Sequence, residues 1–190
     1  MSERIWTISN LLSFSRIILA IPISLLLLSN EVTSKFYAVG LILIAAFTDL
    51  FDGIIARKLN QVTEFGKILD PLADKIAIAI FALILTQHGK LPLWFFLIVV
   101  IRDVLIFTGG MYIKKTKGIV LQSNLIGKWS VTSVAFLILF TVLDIPEIFL
   151  VKQIFLFLST AMLWLSFIVY LKRFVNTISN PQSPIRNPQS

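Results

Sequence analysis

The sequence predicts an all-α integral membrane protein, a bundle of six transmembrane helices. Three observations carry that expectation: an apolar composition, long runs without charge, and helix punctuation between those runs. Over the 190 residues, 57% are hydrophobic and 14% charged, where soluble chains hold about 45–50% and about 25%. A soluble domain of this size leaves too much surface exposed to hide so much apolar area, so the solvent of most of this chain is lipid. Seventeen Lys and Arg against ten acids give a net charge of +7, the sign that suits anionic phospholipid. Nucleic acid is not an expected partner, because the basic residues sit in short clusters between apolar runs and form no single stripe. There is no cysteine and a single histidine, His88, which removes thiolate chemistry and most zinc or triad chemistry.

The chain divides into residues 1–9, a plausible interfacial segment with Ile5, Trp6 and Ile8; 10–175, the helical membrane domain; and 176–190, a polar tail with a repeated Asn-Pro-Gln-Ser, expected to be disordered. The lack of an A-x-A site after Ile17–Leu28 argues against a cleaved signal peptide. The expected helices are 10–29, 35–57, 70–88, 92–114, 126–143 and 148–172. The first ends at Ser29-Asn30-Glu31, and its Pro22 is tolerable inside a membrane helix. The second reaches spanning length, about 20 residues, only by taking in Asp49 and Asp52. In the third, Pro71 suits a first turn and Gly89 a stop. Pro92 opens the fourth, which contains Arg102 and Asp103; Lys128 starts the fifth; Asp144-Ile145-Pro146-Glu147 turns into the sixth. Only Gln153–Leu171, nineteen residues, meets the spanning criterion without any charge.

Orientation follows from the basic loop residues. With the N-terminus in the cytoplasm, Lys35, Lys90 and Lys152 lie outside and ten lie inside: Arg4, Arg57, Lys58, Lys67, Lys114, Lys115, Lys117, Lys172, Arg173 and Arg186. The positive-inside rule therefore predicts a multi-pass protein with both termini on the cytoplasmic side; the cytoplasmic (inner) membrane is the expected location, with an organellar membrane the open alternative.

The informative stretch is Thr48–Lys75, TDLFDGIIARKLNQVTEFGKILDPLADK. Asp49 and Asp52 are three apart and share one helix face; Asp70 and Asp74 are four apart and share another. The short connector between them turns the chain on the cytoplasmic side and sets the helices antiparallel, so four carboxylates can converge at one depth. Such a cluster repels itself unless cations neutralise it. Carboxylates without Cys or a nearby His select Mg²⁺, Mn²⁺ or Ca²⁺ over zinc. Two such ions form a clamp suited to displacement at phosphorus. Gly53 and Ala56, beside the acids, leave room for a nucleotide or phosphate. Two other readings compete: pairs of acids that cap helices or pair with Arg57, Lys58 and Lys67, and a proton or ion relay in a small transporter. The relay fits poorly, because the acids cluster at one edge and the other spans offer only Asp103.

At these residues the chain resembles the CDP-alcohol phosphotransferase family, whose signature is D-x₂-D-G-x₂-A-R-x₈-G-x₃-D-x₃-D. Asp49, Asp52, Gly53, Ala56, Arg57, Gly66, Asp70 and Asp74 match every fixed position and spacing. The run Ile8–Arg16 resembles the family's N-x-L-T-x-x-R opening, through Asn10, Leu12 and Arg16, with Ser13 in place of Thr. The resemblance implies transfer of a phosphatidyl group from CDP-diacylglycerol to an alcohol, with release of CMP. It implies two divalent cations, Mg²⁺ or Mn²⁺: Asp49 and Asp70 bridging both, Asp52 completing one site, and Asp74 completing the other and serving as general base. Gly53, Ala56 and Arg57, with Thr63 and Gly66, are implied to hold the cytidine diphosphate. A homodimer is implied too.

For the acceptor, Asn10, Arg16, Arg102 and Lys128 are candidate acceptor or phosphate contacts. For Arg102 the competing reading is charge balance with neighbouring acids, and for Lys128 snorkelling at a helix end. Family members that use glycerol 3-phosphate usually carry R-E in the fourth helix and G-K-x-K-T-x₂-Q before the fifth. This chain keeps Gly127 and Lys128 but departs at Ser130, Val131 and Val134, while Arg102-Asp103 looks closer to the cardiolipin synthases, which use phosphatidylglycerol. Glycerol 3-phosphate is placed first, phosphatidylglycerol next, with inositol phosphate and serine further alternatives. A non-catalytic membrane scaffold would be expected to have lost one of the four acids, and none is lost.

Overall fold

The computed structural model describes residues 8–29, 31–58, 66–118 and 125–179, with side chains at 18–29, 31–48, 72–118 and 125–179. Six helices follow one another: α1 (Ile8–Leu28), α2 (Val32–Lys58), α3 (Gly66–Gln87), α4 (Leu93–Lys117), α5 (Leu125–Leu143) and α6 (Phe149–Ser179), with a 3-10 turn at Pro146–Ile148 before the last. No strand occurs among the described residues, so the all-α bundle stands. Among them, α4, α5 and the Pro146–Ser179 segment are long and apolar enough to cross a membrane. At 1.5 Å per residue even the 21 residues of α1 reach about 30 Å, the thickness of the hydrocarbon core.

The helices assemble as two packed sets. Helix α1 lies against both α2 and α3, α6 lies against α4 and α5, and α2–α5, α3–α4 and α3–α5 contacts join the sets. The core is built from small and branched residues: Ala20 and Ile23 of α1, Ala38 of α2, Ala77 and Ala82 of α3, and Leu137 and Ile138 of α5 are all buried. Small side chains let membrane helices approach closely, where dispersion replaces the hydrophobic drive that lipid removes. At Gly109 of α4 a β-carbon would stand 2.9 Å from Tyr170 Oη, so the glycine admits the phenol. That hydroxyl then donates to the Ile106 carbonyl at 2.9 Å and fastens α6 to α4.

Several boundaries differ from expectation. Helix α3 starts at Gly66, so Pro71 lies one turn inside and not in the first turn. There a proline forgoes one backbone bond, the one an N–H would have made to the Lys67 carbonyl, close to the start of the helix. Helix α4 continues past residue 114 to Lys117 and is capped by Gly118 at φ 68, whose N–H meets the Lys114 carbonyl at 3.1 Å. Three lysines in that last turn favour the extension, because cations suit a helix C-terminus. Helix α6 runs to Ser179, so Asn176–Ser179 of the expected tail are helical, while 180–190 lie outside the described residues.

One end of the bundle is tied by charge. Lys35 near the start of α2 and Lys90 between α3 and α4 both reach Asp144 Oδ2, at 2.9 and 3.1 Å. Asp144 follows α5 at φ 51, a left-handed conformation that Asp tolerates better than most residues. Two of the lysines expected on the outer side, Lys35 and Lys90, therefore meet Asp144 at one end, and the last turns of α2 and the first of α3 fall at the other. The hydrogen bond from Lys35 holds the Asp144 carboxyl below its ordinary value, against partial burial and with help from Lys90. A group depressed on folding stabilises above its unfolded value, near pH 4, and that contribution is lost as pH falls through the lower folded value. Asp144→Asn should therefore lower stability at neutral pH by about 1 kcal/mol or less, since these are exposed pairs. The deficit should shrink in thermal melts as the pH is lowered from 7 into the acid range; a deficit of equal size at neutral and acid pH would mean the ion pairs do not contribute.

Candidate active site

The signature residues occupy two helix ends. Asp49, Asp52, Gly53, Ala56 and Arg57 lie on the last three turns of α2, and Gly66, Asp70 and Asp74 on the first three of α3. Asp49 and Asp52 are nine and six residues before Lys58; Asp70 and Asp74 are four and eight after Gly66. At helical rise, all four fall between about 6 and 14 Å from their helix ends. Helix α1, which packs on both, brings Asn10 and Arg16 of its own first half to this end of the bundle. The side chains of residues 49–71, and those of Asn10 and Arg16, lie outside the described set, as does Thr63 altogether. Asp74 is described: it is half-buried and engaged with a neighbour. Among the described side chains no three metal-ligating groups converge, and three of the four signature acids are not among those side chains. The donor set suits hard cations by its chemistry: carboxylate oxygens only, without sulfur or imidazole.

One residue beyond Asp74 begins a polar cluster that spans four helices. Lys75 Nζ of α3 lies 3.6 Å from Asp103 Oδ1 of α4. The same oxygen accepts Arg102 Nη1 at 2.5 Å. Arg102 Nη2 donates to Ser130 Oγ of α5 at 3.3 Å and to Ser166 Oγ of α6. Ser130 donates onward to the Gly127 carbonyl at 2.8 Å. Arg102 is 7% exposed, and its Nε has no hydrogen-bond partner in the structure. An apolar cavity of about 180 Å³ between α4 and α6 adjoins it, lined by Leu97, Ile101, Leu105 and Trp164 among others.

The charge-balance reading of Arg102 is thus realised in part, because Asp103 neutralises it. Lys128 is exposed on the first turn of α5, two residues before Ser130. The sequence reading did not assign a role to Lys75, Asp103, Ser130 or Ser166. The signal available for the first two was their cost: charges within apolar helices need partners or functions. For the serines there was none, since helical serines ordinarily return their hydroxyls to their own backbone, as Ser159 does to the Phe155 carbonyl at 2.6 Å.

The end turns of two successive helices of a membrane bundle carry four acids together with a glycine, an alanine and an arginine, a donor set whose chemistry suits hard cations. The chain belongs to the CDP-alcohol phosphatidyltransferase family, whose model matches residues 6–171. It is 39% identical over 113 residues to a cardiolipin synthase (CMP-forming) of Rattus norvegicus, covering 59% of this chain and 36% of that protein. To a CDP-diacylglycerol–glycerol-3-phosphate 3-phosphatidyltransferase of Bacillus subtilis (strain 168) it is 42% identical over 88 residues, 46% of this chain and 45% of that protein. To a protein of the same description from Wigglesworthia glossinidia brevipalpis it is 34% identical over 143 residues, 72% of this chain and 78% of the other. The chain spans less than half the length of the first two relatives.

Proposed function

We propose that this protein transfers a phosphatidyl group from CDP-diacylglycerol to an alcohol with release of CMP, and that the alcohol is glycerol 3-phosphate. The observation that carries the reading is the intact eight-position signature, carried on the last turns of α2 and the first turns of α3. In the reaction the acceptor hydroxyl oxygen forms a bond to the phosphatidyl phosphorus, the bond from that phosphorus to the CMP oxygen breaks, and the hydroxyl proton passes to a carboxylate. Asp74, on the third turn of α3, is the residue assigned that proton. Arg57 presents a planar, permanently charged donor pair to the pyrophosphate. Gly53 and Ala56, small residues beside the acids, would leave room for the nucleotide, and Thr63 and Gly66 would contribute to holding it. Asp49, Asp52, Asp70 and Asp74 would hold two Mg²⁺ or Mn²⁺ ions, which supply charge neutralisation on the pyrophosphate and the leaving phosphate.

Asn10, Arg16, Arg102 and Lys128 remain the candidates for the acceptor's phosphate. The site would face the cytoplasm, on the basic side of the bundle, in a homodimer of the inner membrane. Phosphatidylglycerol is the second acceptor, favoured by Asp103 after Arg102 and by the likeness to the rat cardiolipin synthase.

The test uses purified protein in detergent with Mg²⁺ and labelled CDP-diacylglycerol, offered glycerol 3-phosphate, phosphatidylglycerol, inositol 1-phosphate or serine in turn. Release of CMP that depends on glycerol 3-phosphate is expected. Release only with phosphatidylglycerol selects the second reading, and no release with any acceptor from folded protein overturns phosphatidyl transfer to this set.

A further inference from the structure

The polar cluster beside Asp74 has a division of labour. Arg102 is anchored on one side by two hydroxyls, Ser130 and Ser166, through Nη2, and on the other by Asp103 through Nη1. Its Nε is left without a partner. Asp103 also holds Lys75, at 3.6 Å. One carboxylate therefore stands between two cations on different helices, and the cluster carries a net charge of +1 in a largely apolar setting. Lys75 is the residue after Asp74, and Ser130 lies two residues from Lys128, so the cluster joins the turn of the assigned base to the turn of a candidate acceptor cation.

We infer that Asp103 is a positioning residue for the acceptor half of the site, an inference that rests on the transfer reading above. Its carboxylate fixes the guanidinium plane of Arg102 and keeps the Lys75 ammonium beside it. Without that carboxylate two positive groups in a low-dielectric setting repel each other. The guanidinium then swings about its serine anchors, and the face it presents to an anionic acceptor is lost. The nucleotide half is expected to be spared, because Gly53, Ala56 and Arg57 belong to α2, whereas the cluster is built on α3, α4, α5 and α6.

The experiment measures CMP release with each substrate varied in turn, for wild type, Asp103→Asn, Asp103→Glu and Ser166→Ala, together with the thermal midpoint of each. Asp103→Asn is expected to raise the acceptor KM by about tenfold or more, the scale of one lost charge-assisted bond, with the CDP-diacylglycerol KM within about twofold of wild type. Asp103→Glu should restore most of the acceptor KM, since it returns the charge. Ser166→Ala, which keeps every charge and removes one anchor, should raise the acceptor KM by about threefold; it decides the matter if Asp103→Asn does not fold. An acceptor KM unchanged in Asp103→Asn, or in Ser166→Ala when that variant alone folds, overturns the inference. So does a rise in both KM values in step with a fall in midpoint that Asp103→Glu does not correct, because that pattern is general loosening. Wild-type protein that releases no CMP with any acceptor sinks the transfer reading itself, a result distinct from normal wild-type turnover with an insensitive Asp103.

Discussion

Alanine at Asp49 or at Asp70 is expected to reduce CMP release by about a thousandfold or more, the scale on which enzymes lose activity when a group that acts as part of a unit is removed. The same variants should be no less thermostable than wild type in the absence of divalent cations, as thermal melts in chelator would show. Both acids sit on the end turns of their helices, and where four carboxylates share a low-dielectric site each added negative charge raises the cost of the others. Removing one relieves repulsion while it deletes function, the trade-off common at sites built for a ligand. Added Mg²⁺ should raise the wild-type midpoint, because a cation that binds only the folded state stabilises it, and should raise that of Asp49→Ala far less. The competing account, in which the pairs cap helices or balance Arg57, Lys58 and Lys67, gives the opposite pattern: stability falls on mutation, and Mg²⁺ has no differential effect. Activity retained in Asp49→Ala would rule out the cation-clamp assignment.

That pattern was legible in the sequence because it is local. Spacings of three and four within a helix put residues on one face, and eight matched positions within 26 residues place the acids on two helices without any tertiary information. The outer turn was legible for the same reason: Gly89 and Asp144 stop their helices with left-handed residues, which short polar or side-chain-free residues adopt most readily.

What the sequence did not disclose depends on distance along the chain. Arg102 meets Ser166, 64 residues away, and Lys35 meets Asp144, 109 away; no periodicity encodes which face of one apolar helix turns toward another. In lipid both faces of such a helix are apolar, so the burial pattern that reveals the core of a soluble helix is muted: Val99 is buried while Ile101, two residues on, is largely exposed. The late stop of α4 and the early start of α3 have a different origin. Pro71 and the lysines at 114–117 look like boundaries in the sequence, but proline one turn from an N-terminus and basic residues at a C-terminus are both compatible with continued helix.

The second large effect is on stability. Arg102→Met replaces a buried guanidinium by a flexible apolar chain, and it should cost about 3 kcal/mol or more in the folded protein. The loss does not come from the deleted bonds alone. Asp103 keeps only the looser Lys75 contact at 3.6 Å, and the hydroxyls of Ser130 and Ser166 lose a donor inside the bundle. Arg102→Lys should recover part of the stability, since charge is kept but a single ammonium cannot hold both a carboxylate and two hydroxyls on separate helices. The informative variant is the double substitution Arg102→Met, Asp103→Leu. Removing both charges exchanges a buried ion pair for apolar packing, a change that is often neutral, and Lys75, with 24% of its side chain exposed, can turn its ammonium outward. Thermal melts should therefore show the double variant more stable than Arg102→Met by more than half of the lost stability. Its acceptor KM, measured in the CMP-release assay, should stay high. A double variant that regained both stability and acceptor binding would show the cluster to be a packing device with no part in the reaction. One that regained stability alone separates the two roles, and assigns the charges of α4 to the substrate and the apolar volume around them to the fold.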